Sequence, residues 1–275
     1  MQIYWQREWQ RARRVVGNVA RHWWVRWTHR EGDIRPIFAN SFPKSGTYML
    51  SRCLELMPTI VAYHRGVWLA HAGKMRPSER RRELARLPLG SYVSGHLAYL
   101  PEQVAVLRDV GLRPVMIVRD PRDVATSYYT FEMKYRWLPH YRFFNQLATN
   151  DERLMAMIRG DVAYGLGPLA ASMQTYTGWL DDPECLIVKF EDLVGAQGGG
   201  SDERQRAAVA SIAQHVGLAL DDSDVQAVAG QVFNRGAQTF RKGVIGDWRN
   251  HFSAEHVAAF NESGGQMLLE KYGYL

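Results

Sequence analysis

The feature that most constrains this chain is a short apolar strand, Pro36-Ile37-Phe38-Ala39-Asn40-Ser41-Phe42, that runs into Pro43-Lys44-Ser45-Gly46-Thr47 and then into a helix with Leu50, Cys53, Leu54 and Met57 on one face. Strand, small polar loop, helix is the arrangement that grips phosphate, because a helix start presents free amides and the positive end of its dipole. Further apolar strands are expected at Tyr92 to Ser94, Pro114 to Val118 and Cys185 to Phe190. Helical patterns such as Glu102 to Val110 and Val162 to Leu180 separate them. Strands alternating with helices predict an α/β fold of three layers, a central parallel sheet covered by helices on both faces.

Composition sets the outer bounds. With 275 residues, 46% hydrophobic and 23% charged, the chain is an ordinary globular protein, which excludes disorder, collagen and disulfide scaffolds. No apolar run reaches the roughly 18 residues of a membrane span. Cys53 and Cys185 each lie in an apolar segment without a CxxC neighbourhood, so buried free thiols in a reducing, cytoplasmic setting are expected.

The net charge of +6 is unevenly placed: residues 1–30 hold seven arginines against Glu8, and the rest of the chain carries 27 basic and 27 acidic side chains. A balanced body gives no reason to expect a nucleic-acid partner. The basic segment reads as an amphipathic helix, with Trp5, Trp9, Ala12, Val16, Ala20, Trp23 and Trp27 on one face and Arg7, Arg11, Arg14 and Arg21 on the other. Such a helix fits packing on the domain, contact with a second subunit in a homodimer, or peripheral contact with an anionic membrane. Glu31-Gly32-Asp33 ends it, which divides the chain into residues 1–33 and a main domain at 34–275. Gly195 to Ser201 reads as a mobile loop, and Arg80-Arg81-Arg82, in a helix opened by Pro77, as a solvated face.

Three constellations carry candidate chemistry. In the first, the amides of Ser45, Gly46 and Thr47 face an anion and Lys44 adds a point charge; it is not a Walker A loop, because here the glycine follows the lysine. A plain turn is the competing explanation. In the second, Arg119 ends a strand and Ser127 follows on a helix started by Pro121, so a guanidinium and a hydroxyl can meet a second phosphate. The competing explanation is an ion pair of Arg119 with Asp120 or Asp123. In the third, Arg241-Lys242-Gly243-Val244-Ile245-Gly246-Asp247-Trp248 reads as a flexible basic clamp or else a solvated loop.

In this order the three constellations resemble the sulfotransferases that use 3′-phosphoadenosine 5′-phosphosulfate (PAPS), over roughly residues 36 to 272. The resemblance implies a P-loop-like fold and transfer of a sulfuryl group to an acceptor hydroxyl, or less readily an amine, leaving 3′-phosphoadenosine 5′-phosphate (PAP), with no metal required. It places Lys44, Ser45, Gly46, Thr47 and Tyr48 at the 5′ end of the donor, Arg119 and Ser127 at its 3′-phosphate, and Arg241, Lys242 and Gly243 in the C-terminal donor loop. Gly95-His96-Leu97 resembles the stretch that holds the catalytic base, and a neutral imidazole can take a hydroxyl proton at neutral pH. Lys44 is then the catalytic cation beside the leaving phosphate.

Departures from that pattern are visible. Tyr48-Met49 stands where many cytosolic members have a Trp against adenine, Ser94-Gly95-His96 replaces Lys-Thr-His, and Phe190-Glu191-Asp192 replaces Tyr-Glu-Asp. The family's dimerisation pattern is faintly echoed from Arg249 to Ala258. Phe131, Tyr135, Trp137, Tyr141, Phe143 and Phe144 are candidates for an acceptor pocket suited to an apolar or planar small molecule, a lipid or a glycan with such a part, or else for core packing. Two other classes compete. A nucleotide-dependent kinase would need a free carboxylate at a strand end for Mg²⁺, and a non-catalytic scaffold would keep the fold alone.

Overall fold

The computed structural model describes residues 34–63, 76–234 and 242–275. The expected N-terminal amphipathic helix and Arg241 lie outside the described residues.

Strand β1 (Ile37–Ser41) leads through the phosphate-type loop to α1 (Thr47–Leu56), the edge strand β2 (Val61–Ala62), α2 (Pro77–Leu84) and β3 (Ser91–Gly95). Next come α3 (Pro101–Asp109), β4 (Arg113–Val118), α4 (Pro121–Glu132), α5 (Tyr141–Gln146), α6 (Asn150–Arg159) and α7 (Leu169–Gln174). Strand β5 (Leu186–Lys189) runs straight into α8 (Phe190–Leu193), followed by α9 (Asp202–Val216), α10 (Asp222–Val232), α11 (Ala254–Glu262) and α12 (Gly265–Tyr272). All strand pairs are parallel, in the order β2-β3-β1-β4-β5.

Strand periodicity divides the core into two faces. Phe38, Val93, Met116 and Val118 point into one apolar layer with Trp179, Phe144 and Phe260, and Ile37, Ala39, Val115 and Ile117 into the other with Leu50, Leu54, Val209 and Ile212. Burial on both sides explains why these strands read as continuous apolar runs. With β1 central, the loops after β3, β1 and β4 share one sheet edge, where parallel α/β folds place their ligands.

Three expectations are corrected. Val162 to Leu180 is not one helix: a short 3₁₀ turn at Val162–Tyr164 stops at Gly165 with φ 65°, α7 starts only after Pro168, and a second 3₁₀ turn covers Thr177–Leu180. Val162 itself is 98% exposed, so its side chain never belonged to a buried stripe. Gly195 to Ser201 is a packed turn, since Gly198 is buried and its carbonyl accepts from Ile245 N at 3.1 Å. In the arginine run only Arg81 and Arg82 face solvent; Arg80 is fully buried, which lowers its pKa against the opposing influence of Glu102.

Candidate functional site

The loop after β1 is shaped by its backbone. Ser45 N donates to Phe42 O at 3.1 Å, and Lys44, alone among the described non-glycine residues, has a positive φ, 71°. For a residue with a Cβ that conformation costs on the order of 1 kcal/mol, so the surrounding fold must impose it. Gly46 follows at φ 112°, and a Cβ there would lie 2.9 Å from Phe190 Cδ2 and 3.0 Å from Ile117 Cδ1. Glycine is therefore required by packing as well as by dihedral angle. Helix α1 starts at Thr47, and the first amides of a helix have no acceptor within it. Ser45 Oγ is buried without a hydrogen-bond partner. The Lys44 ammonium stands 4.0 Å from the centre of the Phe131 ring.

One strand away, His96 follows the last residue of β3. Its Nδ1 lies 2.8 Å from the carbonyl oxygen of Ser41, the last residue of β1. A carbonyl only accepts, so Nδ1 carries the hydrogen and Nε2 keeps a lone pair. Ser41 Oγ sits 3.2 Å from the same Nδ1 and 2.6 Å from Thr47 Oγ1, which links the imidazole to the first turn of α1. Burial lowers the His96 pKa from 6.5; the Ser41 carbonyl opposes that shift and the Lys44 charge adds to it. These influences together favour the neutral ring.

On the other flank of β1, Arg119 follows β4 and is nearly buried. Its Nη2 donates to Val244 O at 2.9 Å and lies 3.5 Å from Asp123 Oδ2, and the guanidinium stacks 4.3 Å above the Phe190 ring. Its Nε is buried with no partner. Phe190 therefore borders both Gly46 and Arg119, which sets the first two constellations on either side of one ring. Ser127 lies two turns into α4 and is 7% exposed. The ion pair weighed as the alternative for Arg119 does exist, with Asp123; Asp120 instead caps α4 through Arg122 N at 2.9 Å and holds the Arg122 side chain at 2.9 and 2.7 Å. That engagement leaves the strand-end carboxylate unavailable for the kinase reading.

The described part of the third constellation is anchored, contrary to the flexible clamp expected of it. Fully buried Asp123 accepts from Gly246 N and Trp248 N, both at 2.8 Å, and Lys242 Nζ donates to Asp247 Oδ1 at 2.8 Å. Gly243 packs beside Gly198, whose Cβ would meet the Gly243 carbonyl at 2.6 Å. The aromatic candidates separate: Phe143 and Phe144 belong to the core, Phe131 meets Lys44, and Trp137 is 70% exposed. Tyr48 is 43% exposed. A cavity of about 280 Å³ lined by Arg122, Trp248, Phe252, Phe260, Leu269 and Leu275 touches the third constellation only through Trp248 and involves none of the residues expected to hold the donor.

Sheet order, the strand-loop-helix after β1 and the arginine-led helix after β4 define a P-loop-like α/β fold. The chain belongs to the sulfotransferase domain family, whose profile matches residues 35–270. It is 27% identical over 203 residues to Sulfotransferase 6B1 of Danio rerio, an alignment that covers 68% of this chain and 62% of that relative. It is 22% identical over 258 residues to 3-alpha-hydroxysteroid sulfotransferase of Cavia porcellus, covering 81% of this chain and 79% of the relative. Among solved structures, mouse sulfotransferase SULT7A1 complexed with PAP aligns with a TM-score of 0.62 at 22% identity, covering 88% of this chain and 85% of that one. Retinol dehydratase in complex with androsterone and PAP aligns with a TM-score of 0.56 at 19% identity, covering 84% and 80%.

Proposed function

We propose that this protein transfers a sulfuryl group from PAPS to the hydroxyl of a small-molecule acceptor, with His96 as base. The observation that carries the reading is an imidazole whose Nδ1 is held by Ser41 O, which leaves Nε2 for an acceptor, on the same sheet edge as a loop whose buried Ser45 Oγ lacks a partner. An unsatisfied buried hydroxyl and an unsatisfied buried Arg119 Nε are costly unless a polar ligand completes them. PAPS, which has an anionic group at each end of its ribose, suits both. Ser45 N, expected to face the anion, is already given to Phe42 O, so the amides of Gly46, Thr47 and Tyr48 with Ser45 Oγ would hold the 5′ end, and Arg119, Ser127, Arg241, Lys242 and Gly243 the 3′-phosphate.

His96 Nε2 takes the acceptor proton as the acceptor oxygen bonds to sulfur and the bond from sulfur to the bridging oxygen breaks. Lys44 stabilises the charge that develops on the departing phosphate. Nδ1, held by Ser41 O, delocalises the charge gained by the ring. The acceptor enters beside Phe131, and the steroid and retinoid names attached to the relatives support an acceptor with an apolar body. The arginine-rich sequence of residues 1–30 suits docking of the enzyme on an anionic membrane or on its twin, close to lipid or glycan acceptors.

Release of PAP from PAPS in the presence of a panel of phenols, steroid alcohols and aliphatic alcohols tests the reading. Lys44→Ala is expected to abolish turnover, and His96→Ala to lower it while PAP binding persists. Absence of PAP binding by calorimetry at high protein concentration overturns it. Removal of residues 1–30 is expected to reduce liposome sedimentation or change the sizing profile; if neither moves, the segment has no docking role.

A further inference from the structure

We propose that Asn40 is a positioning residue for His96, its carboxamide serving as one more rung of the sheet beyond the point where the main-chain ladder ends. The inference rests on the assignment of His96 as base. The last β1–β3 pair is Asn40 with Gly95, and β3 ends there. Two residues on, Leu97 N donates to Asn40 Oδ1 at 2.9 Å, and Asn40 Nδ2 donates to Leu97 O at 3.0 Å. A side-chain amide thus reproduces both bonds of a peptide partner. Its orientation is forced, because the Leu97 amide can pair only with the oxygen and the Leu97 carbonyl only with the NH₂ group. Trp179 Nε1 adds a second donor to Leu97 O at 2.8 Å.

These groups are sealed from water: Asn40 and Trp179 are both fully buried. His96 is therefore held on both sides, by the Gly95 ladder pair before it and by the Asn40 clamp after it, and its ring is turned by Ser41 O. Three consecutive tethers come from the last two residues of β1, the strand that feeds the phosphate loop. Base and loop are in this way placed from one rigid element, which matters because in-line transfer loses about a hundredfold in rate for a misplacement near 1 Å. Lys44 is the charged group whose field reaches His96 in this corner.

Asn40→Asp, in the full-length protein, is the decisive variant. Protonated, the new carboxyl can still accept from Leu97 N and donate to Leu97 O; ionised, it opposes that carbonyl. Wild-type kcat is expected to rise with pH to a plateau as His96 becomes neutral, and Asn40→Asp to add a falling alkaline limb. Asn40→Ala is expected to lose about tenfold to a hundredfold in kcat, with the calorimetric Kd for PAP within twofold of wild type. Trp179→Phe, which leaves the Asn40 pair in place, is expected to lose less than Asn40→Ala. Melting of each variant with PAP bound confirms that the measured species is folded.

The proposal is overturned by a wild-type pH profile in Asn40→Asp together with an unchanged kcat in Asn40→Ala, or by PAP affinity that falls in step with kcat. His96→Ala separates the two levels. If the acidic limb survives there, His96 is not the base and the parent reading fails. If the limb disappears but Asn40→Asp behaves as wild type, the positioning role alone fails.

Discussion

Asp123 offers the severest test of how the donor site is assembled, because one buried carboxylate ties α4 to the C-terminal loop and to Arg119. Asp123→Ala removes two charge-assisted bonds from main-chain amides, each worth about 1.5–3 kcal/mol. It also leaves the Arg119 guanidinium, 8% exposed, without its carboxylate, a loss that reaches about 3–5 kcal/mol in buried pairs. The terms overlap, since Arg119 keeps Val244 O and the Phe190 ring, so a total of about 5 kcal/mol is expected. At about 2 °C per kcal/mol for a chain of this size, the melting temperature falls by roughly 10 °C. Asp123→Asn is expected to cost nearly as much, because its NH₂ group would face Gly246 N–H or Trp248 N–H where the carboxylate accepts. Urea unfolding gives the stability change, and calorimetry with PAP gives the site effect, an affinity at least about tenfold weaker through loss of one anchored, charge-assisted contact. Stability within about 1 kcal/mol of wild type and an unchanged PAP affinity in Asp123→Ala would refute the reasoning.

Three further outcomes are expected. Gly46→Ala, which forces a Cβ against Phe190 at a φ of 112°, is expected to cost about 2 kcal/mol or more and to weaken PAP binding, read by urea unfolding and calorimetry. Tyr274→Phe removes the 2.6 Å donor to Glu191, whose other oxygen accepts from Asp120 N; about 2 kcal/mol of stability is expected to go, with an increase in KM for PAPS larger than the change in kcat. For pH, the depressed His96 pKa means the unfolded chain binds more protons in the window just below 6.5. Its stability contribution is then fully present above 6.5 and lost as the pH falls towards the folded value. The acidic limb of kcat/KM, which reports the free enzyme, is expected to have its midpoint below 6.5 and to vanish in His96→Ala.

Much of this arrangement is legible in the sequence wherever local pattern and tertiary role agree. The strand, loop and helix from Ile37 to Leu56 combine apolar periodicity with a turn that only glycine can close, so the element and its phosphate-ready end are both visible. The helix α4 announces itself through Pro121 and the Asp120 cap. Two-residue β2 has no period to detect. Gly165, Gly167 and Pro168 interrupt the Val162 to Leu180 stripe, and apolar spacing counted across them suggests a helix that the backbone cannot make. Buried Arg80 is indistinguishable in sequence from its exposed neighbours, because packing rather than local pattern selects one arginine of the three. Asn40 was hidden for a related reason. In an apolar strand it reads as a blemish, and its partner lies 57 residues away in a register that only the folded sheet defines.

Charge placement shows what kind of anion site this fold builds. The 27 basic and 27 acidic side chains beyond residue 30 balance numerically, and three of the described cations at the candidate site have a carboxylate beside them. Arg119 is matched by Asp123, Arg122 by Asp120, and Lys242 by Asp247. Cations already neutralised by carboxylates contribute little long-range attraction, since each pair is nearly a dipole beyond its own dimensions. On the proposed function, recognition would fall to short-range donors fixed in direction: the opening amides of α1, Ser45 Oγ and Arg119 Nε. On the proposed assignment such a site would select by geometry more than by net charge, which suits a donor with two anionic ends. On the same assignment Asp123 and Asp247 would fix the direction of the donors beside them.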